Sequence, residues 1–261
     1  MAQRADPLAF YERAVHDPVT EVDFLQGVFR QLRRRQPKSY REDFSGAASS
    51  ACEWVRRGPQ RVAIGVDIEP AVHEWGRRHC LAQLSPAARR RVKLVNADVL
   101  EVRTRTVDII SALNFSYWIF RERGQMLRYF RNVWSGLGRE GIFVLDAFGG
   151  HDAFRVMRER TKHRDFTYVW DQASYHPVTG HMVCHIHFQF PDGSRLDKAF
   201  SYEWRLWTLP EIREILAEAG FSRVTVHWEG DDGKGGGNGE FAPTTEGEPD
   251  AAWIAYIVAE K

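Results

Sequence analysis

The chain has 261 residues, enough for one large domain, and 43% of them are hydrophobic, so it can bury a sizeable core. Its 36 Lys and Arg against 35 Asp and Glu leave a net charge of +1, which argues against a nucleic-acid coat protein, an acidic tail or a polybasic membrane anchor. We find no signal-peptide pattern, no apolar run long enough to span a bilayer and no disulfide framework in the three scattered cysteines, so we expect a cytoplasmic protein.

Two helices are predicted at the start of the chain. The first runs from about Pro7 to Val15 and is interrupted at Asp17-Pro18. The second is predicted to begin at Thr20, where a hydroxyl cap precedes early acidic residues, and its apolar side chains recur at helical spacing as far as Leu32.

Strands and helices then alternate. We predict strands over residues 40–44, 61–67, 92–95, 107–113 and 141–146, and helices over residues 51–57, 71–84 and 124–137. This alternation is typical of a doubly wound parallel sheet covered by helices on both faces.

Beyond this region the period of the pattern changes to two. Apolar and aromatic residues alternate from Asp165 to Thr208, which predicts an antiparallel β insert. A helix follows from Thr208 to Gly220, and closing strands are predicted over residues 224–228 and 252–258. The segment Gly230–Asp250 between them is Gly-rich and acidic, so we predict that it is mobile, either as a lid or as a disordered loop.

A candidate nucleoside site follows from the first strand, turn and helix. The small residues 45–50 let the backbone approach a ligand, and Asp67 follows Gly46 by 21 residues at the end of the next strand, where an acid can accept hydrogen bonds from ribose hydroxyls. Asp98 also follows a strand end and could reach an adenine amino group. The turn has a single glycine and no phosphate-cradling run, which disfavours NAD, FAD and nucleoside triphosphates and favours adenosine without phosphates.

From Tyr40 to Phe148 the order of these motifs resembles the class I S-adenosylmethionine-dependent methyltransferases. The run Glu42-Asp43-Phe44-Ser45-Gly46-Ala47-Ala48 is similar to the first motif of that family, with Phe44 and Ala48 in place of its outer glycines. Gly65-Val66-Asp67 resembles the second motif, Asn96-Ala97-Asp98 the third, and Ala112-Leu113-Asn114 the end of the fourth strand. The resemblance implies a Rossmann-like α/β fold, mostly parallel with an antiparallel last strand, and S-adenosyl-L-methionine as cofactor.

The resemblance also implies a division of the chain and a set of site residues. Residues 1–38 would form an N-terminal helical lid, and residues 39–261 the cofactor-binding domain, including an antiparallel insert at 162–208 that would form the acceptor wall. The candidate cofactor-binding residues are Tyr11, Arg41, Glu42, Gly46, Ala47, Asp67, Ile68, Asp98, Val99 and Asn114.

Plainer structural interpretations of these residues stay open. Asp67 could cap the following helix, Asp98 could be an ordinary turn residue, and Asn114 could satisfy a backbone group at the strand end. Glu42 could pair with its neighbour Arg41.

Three aromatic or histidine residues are candidates for the acceptor side of the site. His151 follows the fifth strand and could be a general base at the mouth of the crevice, or a surface histidine. Tyr117 could act there as well, or pack against the next helix, and Tyr11 could be a lid contact or a core residue.

No metal site is predicted. His181, His185 and His187 share one face of a predicted strand, but no neighbouring Cys or carboxylate completes a ligand set of known spacing. We therefore expect this face to be wet or to line a substrate pocket.

The leading hypothesis is methyl transfer to a small-molecule acceptor. An RNA- or protein-directed methyltransferase, a non-catalytic cofactor-binding module and a nicotinamide oxidoreductase are the alternatives. The near-zero net charge disfavours nucleic acid, no membrane partner is expected, and a homodimer stays open.

Overall fold

The computed structural model describes residues 1–233 and 236–261 of the chain. The α-helices α1 to α7 span Pro7–Ala14, Pro18–Arg33, Ser49–Arg56, Pro70–His79, Pro86–Arg89, Arg123–Gly136 and Leu209–Ala219. The strands β1 to β12 span Ser39–Asp43, Val62–Asp67, Val92–Asn96, Val107–Ala112, Leu137–Gly149, Met157–Lys162, Thr167–His176, His181–Gln189, Arg195–Arg205, Arg223–Asp231, Gly237–Thr244 and Trp253–Glu260.

The larger of two sheets has eight strands in the order β11-β10-β12-β5-β4-β1-β2-β3. Strands β1 to β5 pair in parallel, and β12 lies antiparallel between β5 and β10. The order reverses between β1 and β4, and at such a switch point the strand ends open a crevice. The predicted doubly wound sheet with an antiparallel last strand is confirmed.

Strand β11 corrects the prediction for Gly230–Asp250. Residues 234 and 235 of that segment lie outside the described residues. Its described part includes β11, which pairs antiparallel with β10 from Val226↔Thr244 to Asp231↔Gly237. The glycine content does not prevent this strand, because the edge of β10 supplies the hydrogen-bond ladder that a Gly-rich chain cannot supply alone.

Local sequence signals set the helix starts. Helix α7 has the predicted capping box, in which Thr208 and Glu211 exchange hydrogen bonds. Helix α2 begins earlier than predicted: the Asp17 carboxylate accepts from the Thr20 amide at 3.2 Å, and Pro18 occupies the first turn. Asp17-Pro18 is therefore a helix start and not only a break.

The core lies on both faces of the large sheet. Helices α2 and α3 cover one face, where Phe29 and Trp54 pack with Ile142 and Val144 of β5. Helices α6 and α7 cover the other face, where Phe130 and Leu216 pack with alternate β5 residues, among them Phe143. Both faces of the central strands are thus apolar, as the continuous hydrophobic runs predict.

The predicted antiparallel insert forms the second, smaller sheet. Its strands pair in the order β6-β7-β8-β9, and β6 begins at Met157, before the predicted start of the insert at residue 162. Helix α1 packs on this sheet through Phe10, whose ring lies 5.0 Å from Phe166 and 5.1 Å from Phe190. The first helix therefore bridges the insert and the main body.

Two further features concern the cysteines and the length of the apolar helices. Cys52, Cys80 and Cys184 are free thiols. Within residues 1–233 and 236–261, none of the helices combines the length and the apolar character that a membrane span needs.

Candidate active site

The turn between β1 and α3 forms one wall of the crevice. Phe44, Gly46 and Ala48 all have left-handed backbone, with φ of 57°, 51° and 59°. The turn therefore alternates between left-handed and ordinary residues, and this tight path brings α3, with its unpaired amide groups, directly after the end of β1.

Asp67 at the end of β2 holds this turn. One carboxylate oxygen accepts from the Gly46 amide at 2.8 Å, and the other accepts from the Glu69 amide at 3.0 Å. A carboxylate has about four lone-pair sites, so these two bonds leave capacity for a ligand hydroxyl. Asp67 is partly exposed at the crevice, so its free lone pairs are available there.

A buried histidine supports the same turn from below. His73 of α4 is fully buried, with Nε2 3.0 Å from the Ser45 hydroxyl and Nδ1 2.9 Å from the Asn96 amide nitrogen. Because an amide nitrogen donates, Nδ1 accepts and Nε2–H donates to Ser45. Burial lowers the pKa of His73, which favours this neutral form. His73 thereby connects the turn to the end of β3.

Three carboxylates surround the N-terminus of α3. Glu12 of α1 accepts from the Ser49 hydroxyl at 2.6 Å, Glu21 of α2 accepts from Ser50, and Glu42 of β1 accepts from the Ala51 amide at 2.9 Å. Burial, followed by the charge of Glu21, raises the pKa of Glu42 well above its usual range. A cation bound beside Glu42 would favour the charged form of this carboxyl group.

The end of β4 forms the opposite wall. Asn114 and Phe115 are both left-handed, and their amides donate to the Asp146 carboxylate at 2.7 and 2.9 Å. Burial raises the pKa of Asp146 to about 7 in spite of these bonds. Asp146 thus fixes the turn that brings Asn114 to the crevice.

A cavity of about 390 Å³ opens beside Asn114, between the crevice end of the large sheet and the smaller sheet. Its aromatic lining residues are Tyr11, Phe115, Phe148, Tyr168, Trp170, Tyr202, Trp204 and Trp253. Its acidic lining residues are Asp152, Glu159 and Glu229. The volume and the largely apolar lining suit a small organic molecule.

Proteins of known structure share this architecture. No protein-family model matches the sequence, and no curated protein matches it significantly. Among solved structures, the chain is similar to an S-adenosylmethionine-dependent methyltransferase from Clostridium acetobutylicum, with a TM-score of 0.68 and 16% identity over 97% of this chain and 96% of that one. The chain has the class I methyltransferase fold.

Two further structures extend the likeness. The sugar N-methyltransferase KedS8 from Streptoalloteichus has a TM-score of 0.66 and 17% identity, covering 98% of this chain and 93% of that one. CalS10, an amino pentose methyltransferase from Micromonospora echinaspora solved with S-adenosylmethionine bound, has a TM-score of 0.65 and 14% identity over 95% of this chain and 94% of its own. The methyltransferase fold therefore extends over the N-terminal helices and the insert as well as the central sheet.

Two non-glycine residues of the turn have left-handed backbone. Phe44 and Ala48 stand at the outer positions of the run that resembles a methyltransferase motif, and both adopt the left-handed backbone that glycine adopts most readily. Ala48 is fully buried, and Phe44 packs with Phe120 and Tyr129 at 6.0 and 5.7 Å. The packing of these side chains offsets a backbone cost of about 1–2 kcal/mol for each residue.

Other predicted site residues differ in their surroundings. Asp98 accepts from the Leu100 amide at 2.8 Å, as a turn residue does, and Val99 is buried in the core. Ala47 is buried under α4, whereas Ile68 is 63% exposed beside Asp67. Tyr11 and Asn114 both line the cavity.

Three predicted residues lie elsewhere. The Arg41 guanidinium is fully buried and donates to Asp43 at 3.0 Å, so it neither reaches the crevice nor pairs with Glu42. Tyr117 is also fully buried, and its hydroxyl donates to the Asp146 carbonyl oxygen at 2.7 Å. The His151 side chain is 69% exposed and does not line the cavity, although its neighbour Asp152 does.

The histidines of β8 lie on the face of the insert opposite the cavity. His187 contacts Asp171 at 3.1 Å, and His185 contacts the Ser201 hydroxyl at 2.8 Å, whereas the alternating Ile186 lines the cavity. They are thus not pocket residues, and polar neighbours bury them on the outer face. Within the described part of the chain, no group of His, Cys, Asp and Glu has a geometry that could hold a metal ion.

The sequence pattern does not indicate His73, Asp146, Glu12 or Glu21. Asp146 stands inside the apolar run of β5, and His73 stands in an amphipathic helix. Their partners are distant in sequence, 23 residues away for the His73–Asn96 pair and 32 for Asp146 and Asn114. Ser49 and Ser50, whose hydroxyls donate to Glu12 and Glu21, lie in the first turn of α3 and not at its N-cap, which is Ala48, so the capping pattern does not reveal these contacts either.

Proposed function

We propose that this protein transfers a methyl group from S-adenosyl-L-methionine to a small-molecule acceptor. The observation that carries the proposal is the aromatic cavity that begins at Asn114 and Phe115, at the strand ends where this fold opens its crevice. Its volume of about 390 Å³ suits a small acceptor better than a polymer. The sugar substrates in the names of KedS8 and CalS10 support the same acceptor class.

The cofactor would bind across the turn 44–48 and the ends of β2 to β4. Asp67 would accept from the ribose hydroxyls with its free lone pairs, and Asp98 and Val99 would lie beside the adenine. Glu42, with Glu12 and Glu21 nearby, would face the charged methionine end, where a cation favours the ionised form of Glu42. S-adenosylmethionine supplies a methyl group activated by its sulfonium charge.

The residues of this chain would mainly align the reacting atoms and shield them from water. Tyr11 of α1 and the aromatic wall of the insert close the acceptor side and exclude water. Asn114, fixed by Asp146, lies where the two ligands would meet. Correct alignment of the reacting atoms is the main requirement of such an in-line transfer.

Calorimetric titration with S-adenosylhomocysteine tests the proposal. We expect saturable binding by the wild type and a loss of about 1–3 kcal/mol, roughly 5- to 150-fold in affinity, for Asp67→Ala, because the ribose hydroxyls lose their acceptor. The matched control is Glu101→Ala, which removes a carboxylate that is 74% exposed and paired with Arg128. Binding of NADH but not of S-adenosylhomocysteine by folded wild type would overturn the proposal.

A further inference from the structure

The charge of the cavity lining is one-sided. Its lining residues include the three carboxylates of Asp152, Glu159 and Glu229 and no Lys, Arg or His among the residues that the structure describes. The chain as a whole is nearly neutral, with 36 basic and 35 acidic residues. The excess of negative charge is therefore a local property of this cavity.

Two of the three carboxylates already have partners. Asp152 forms an ion pair with Arg155 at 2.8 Å, and Glu229 accepts from the Gly239 amide at 2.9 Å. The Glu159 carboxylate forms neither a hydrogen bond nor an ion pair with any residue in the described ranges. It is the carboxylate of the cavity that is free to bind a ligand.

The strand register explains why Glu159 faces the cavity. Glu159 pairs with Trp170 across β6 and β7, and both line the cavity. Its neighbour Arg158 lies on the opposite face, where it pairs with Asp171 at 2.9 Å. Because successive side chains of a strand alternate between faces, the basic residues of β6 are kept out of the cavity.

The aromatic rings of the lining favour a cation as well. Trp170 and Trp204 lie 6.0 Å apart, and Tyr202 stacks on Trp204 at 4.6 Å, so several ring faces are grouped on one wall. The faces of Trp and Tyr attract cations through the ring quadrupole. An anionic ligand would meet both the carboxylates and the ring faces unfavourably. A neutral alcohol could donate a hydrogen bond to a carboxylate, but it would gain no charge attraction from the carboxylates or from the ring faces.

We infer that the acceptor is an amine that enters this cavity as an ammonium cation, with its positive charge beside Glu159 and its apolar body between the aromatic rings. Before transfer it would release one N–H proton to solvent, because only the free amine has the lone pair that attacks the methyl carbon as the C–S bond breaks and S-adenosylhomocysteine leaves. This inference rests on the proposed function, because only a methyltransferase has a methyl acceptor. The preference for cations, in contrast, follows from the lining of the cavity alone. Glu159 would be a specificity residue, which selects amines over alcohols and carboxylic acids of the same shape.

Three probes of matched shape test this inference without knowledge of the acceptor. The cation is 3-hydroxyphenyltrimethylammonium, its neutral isostere is 3-tert-butylphenol, and the anion is 3-hydroxybenzoate. Calorimetry on the full chain, with and without S-adenosylhomocysteine, should give at least 10-fold tighter binding of the cation than of the neutral probe, and no binding of the anion. Glu159→Gln should reduce the preference for the cation at least fivefold and leave the affinity for 3-tert-butylphenol unchanged.

Glu203→Gln is the matched control. Glu203 belongs to the same sheet, is 70% exposed and pairs with Arg121 on the face opposite the cavity, so its loss should not change any of the three affinities. Equal binding of cation and neutral probe, failure of the cation to bind, or a preference that survives Glu159→Gln would each overturn the inference. Titration with S-adenosylhomocysteine in the same preparation separates this failure from failure of the proposed function.

Discussion

Residue 76 of α4 is a glycine at the point where α4 comes closest to the turn 44–48 of the candidate cofactor site. A Cβ built on Gly76 would lie 2.3 Å from the Ala47 carbonyl oxygen, well inside van der Waals contact. Ala47 is buried and is part of the turn itself. The absence of a side chain at Gly76 is therefore what lets α4 support the turn.

Gly76→Ala should consequently destabilise the protein and weaken cofactor binding. Overpacking of this kind costs about 1–3 kcal/mol, and displacement of Ala47 should lower the affinity for S-adenosylhomocysteine. Chemical denaturation and calorimetry measure the two effects. Gly27→Ala is the control, because a Cβ on Gly27 of α2 meets nothing within 4 Å. It should stabilise by about 1 kcal/mol through helix propensity and leave binding unchanged. A Gly76→Ala protein with unaltered stability and affinity would contradict this role.

The position of the turn could be predicted from residues, but the contacts that hold it could not. Small residues at 45–50 between a strand and a helix form a local pattern, and their spacing to Asp67 follows from the length of one strand–helix unit. His73 and Asp146 act through hydrogen bonds to partners that only tertiary packing brings near. Such residues look like ordinary core or helix positions in the sequence.

Helix α1 connects three parts of the structure through polar contacts at its two ends. At its start, Asp6 accepts from the Trp75 indole of α4 at 2.6 Å. Near its end, Glu12 accepts from Ser49 of α3, and Arg13 pairs with Asp165 of the insert. No residue of α1 is fully buried. The helix is thus attached by polar contacts at both ends as well as by the packing of Phe10 and Tyr11 on the insert.

Trp75→Phe should loosen the start of α1. The substitution keeps an aromatic ring but removes the donor to Asp6, which costs about 0.5–1.5 kcal/mol. We expect faster tryptic cleavage within residues 1–16 and little change in the global melting temperature. Trp134→Phe is matched, because it removes an indole bond of similar length, 3.0 Å to the Gly220 carbonyl oxygen, far from α1. Equal cleavage rates in the two variants would mean that the Asp6–Trp75 bond does not anchor the helix.

The sequence pattern predicts strands of atypical composition least well. Strand β6, with the sequence Met157-Arg-Glu-Arg-Thr-Lys162, is mostly charged, and β11 is rich in glycine. Neither has the apolar alternation that identifies a half-buried strand. Both are edge strands held by one neighbour, β7 and β10 respectively. Pairing to an existing edge, and not intrinsic propensity, explains why they form.

At the scale of the whole molecule, the N-terminal helices differ in how they join the body. Helix α2 buries Val22, Leu25, Val28 and Phe29 against the face of the sheet that carries α3. Burial of such side chains contributes about 1.5–3 kcal/mol each, so the four together contribute roughly 6–12 kcal/mol. That sum is comparable with the entire stability of a typical domain, about 5–15 kcal/mol. We therefore predict that, of the two helices in residues 1–38, α1 can detach from the body whereas α2 belongs to the core.

Two truncations separate these roles. A chain that begins at Asp17 keeps the N-cap of α2 and should fold, with a cooperative thermal transition by circular dichroism. It should bind S-adenosylhomocysteine more weakly, because Tyr11 and Glu12 no longer close the crevice. A chain that begins at Ser39 should fail to fold cooperatively, because the apolar face under α2 is exposed to water. If the shorter chain melted like the full protein, residues 1–38 would be a separable lid, and α2 would contribute far less to the core than its burial indicates.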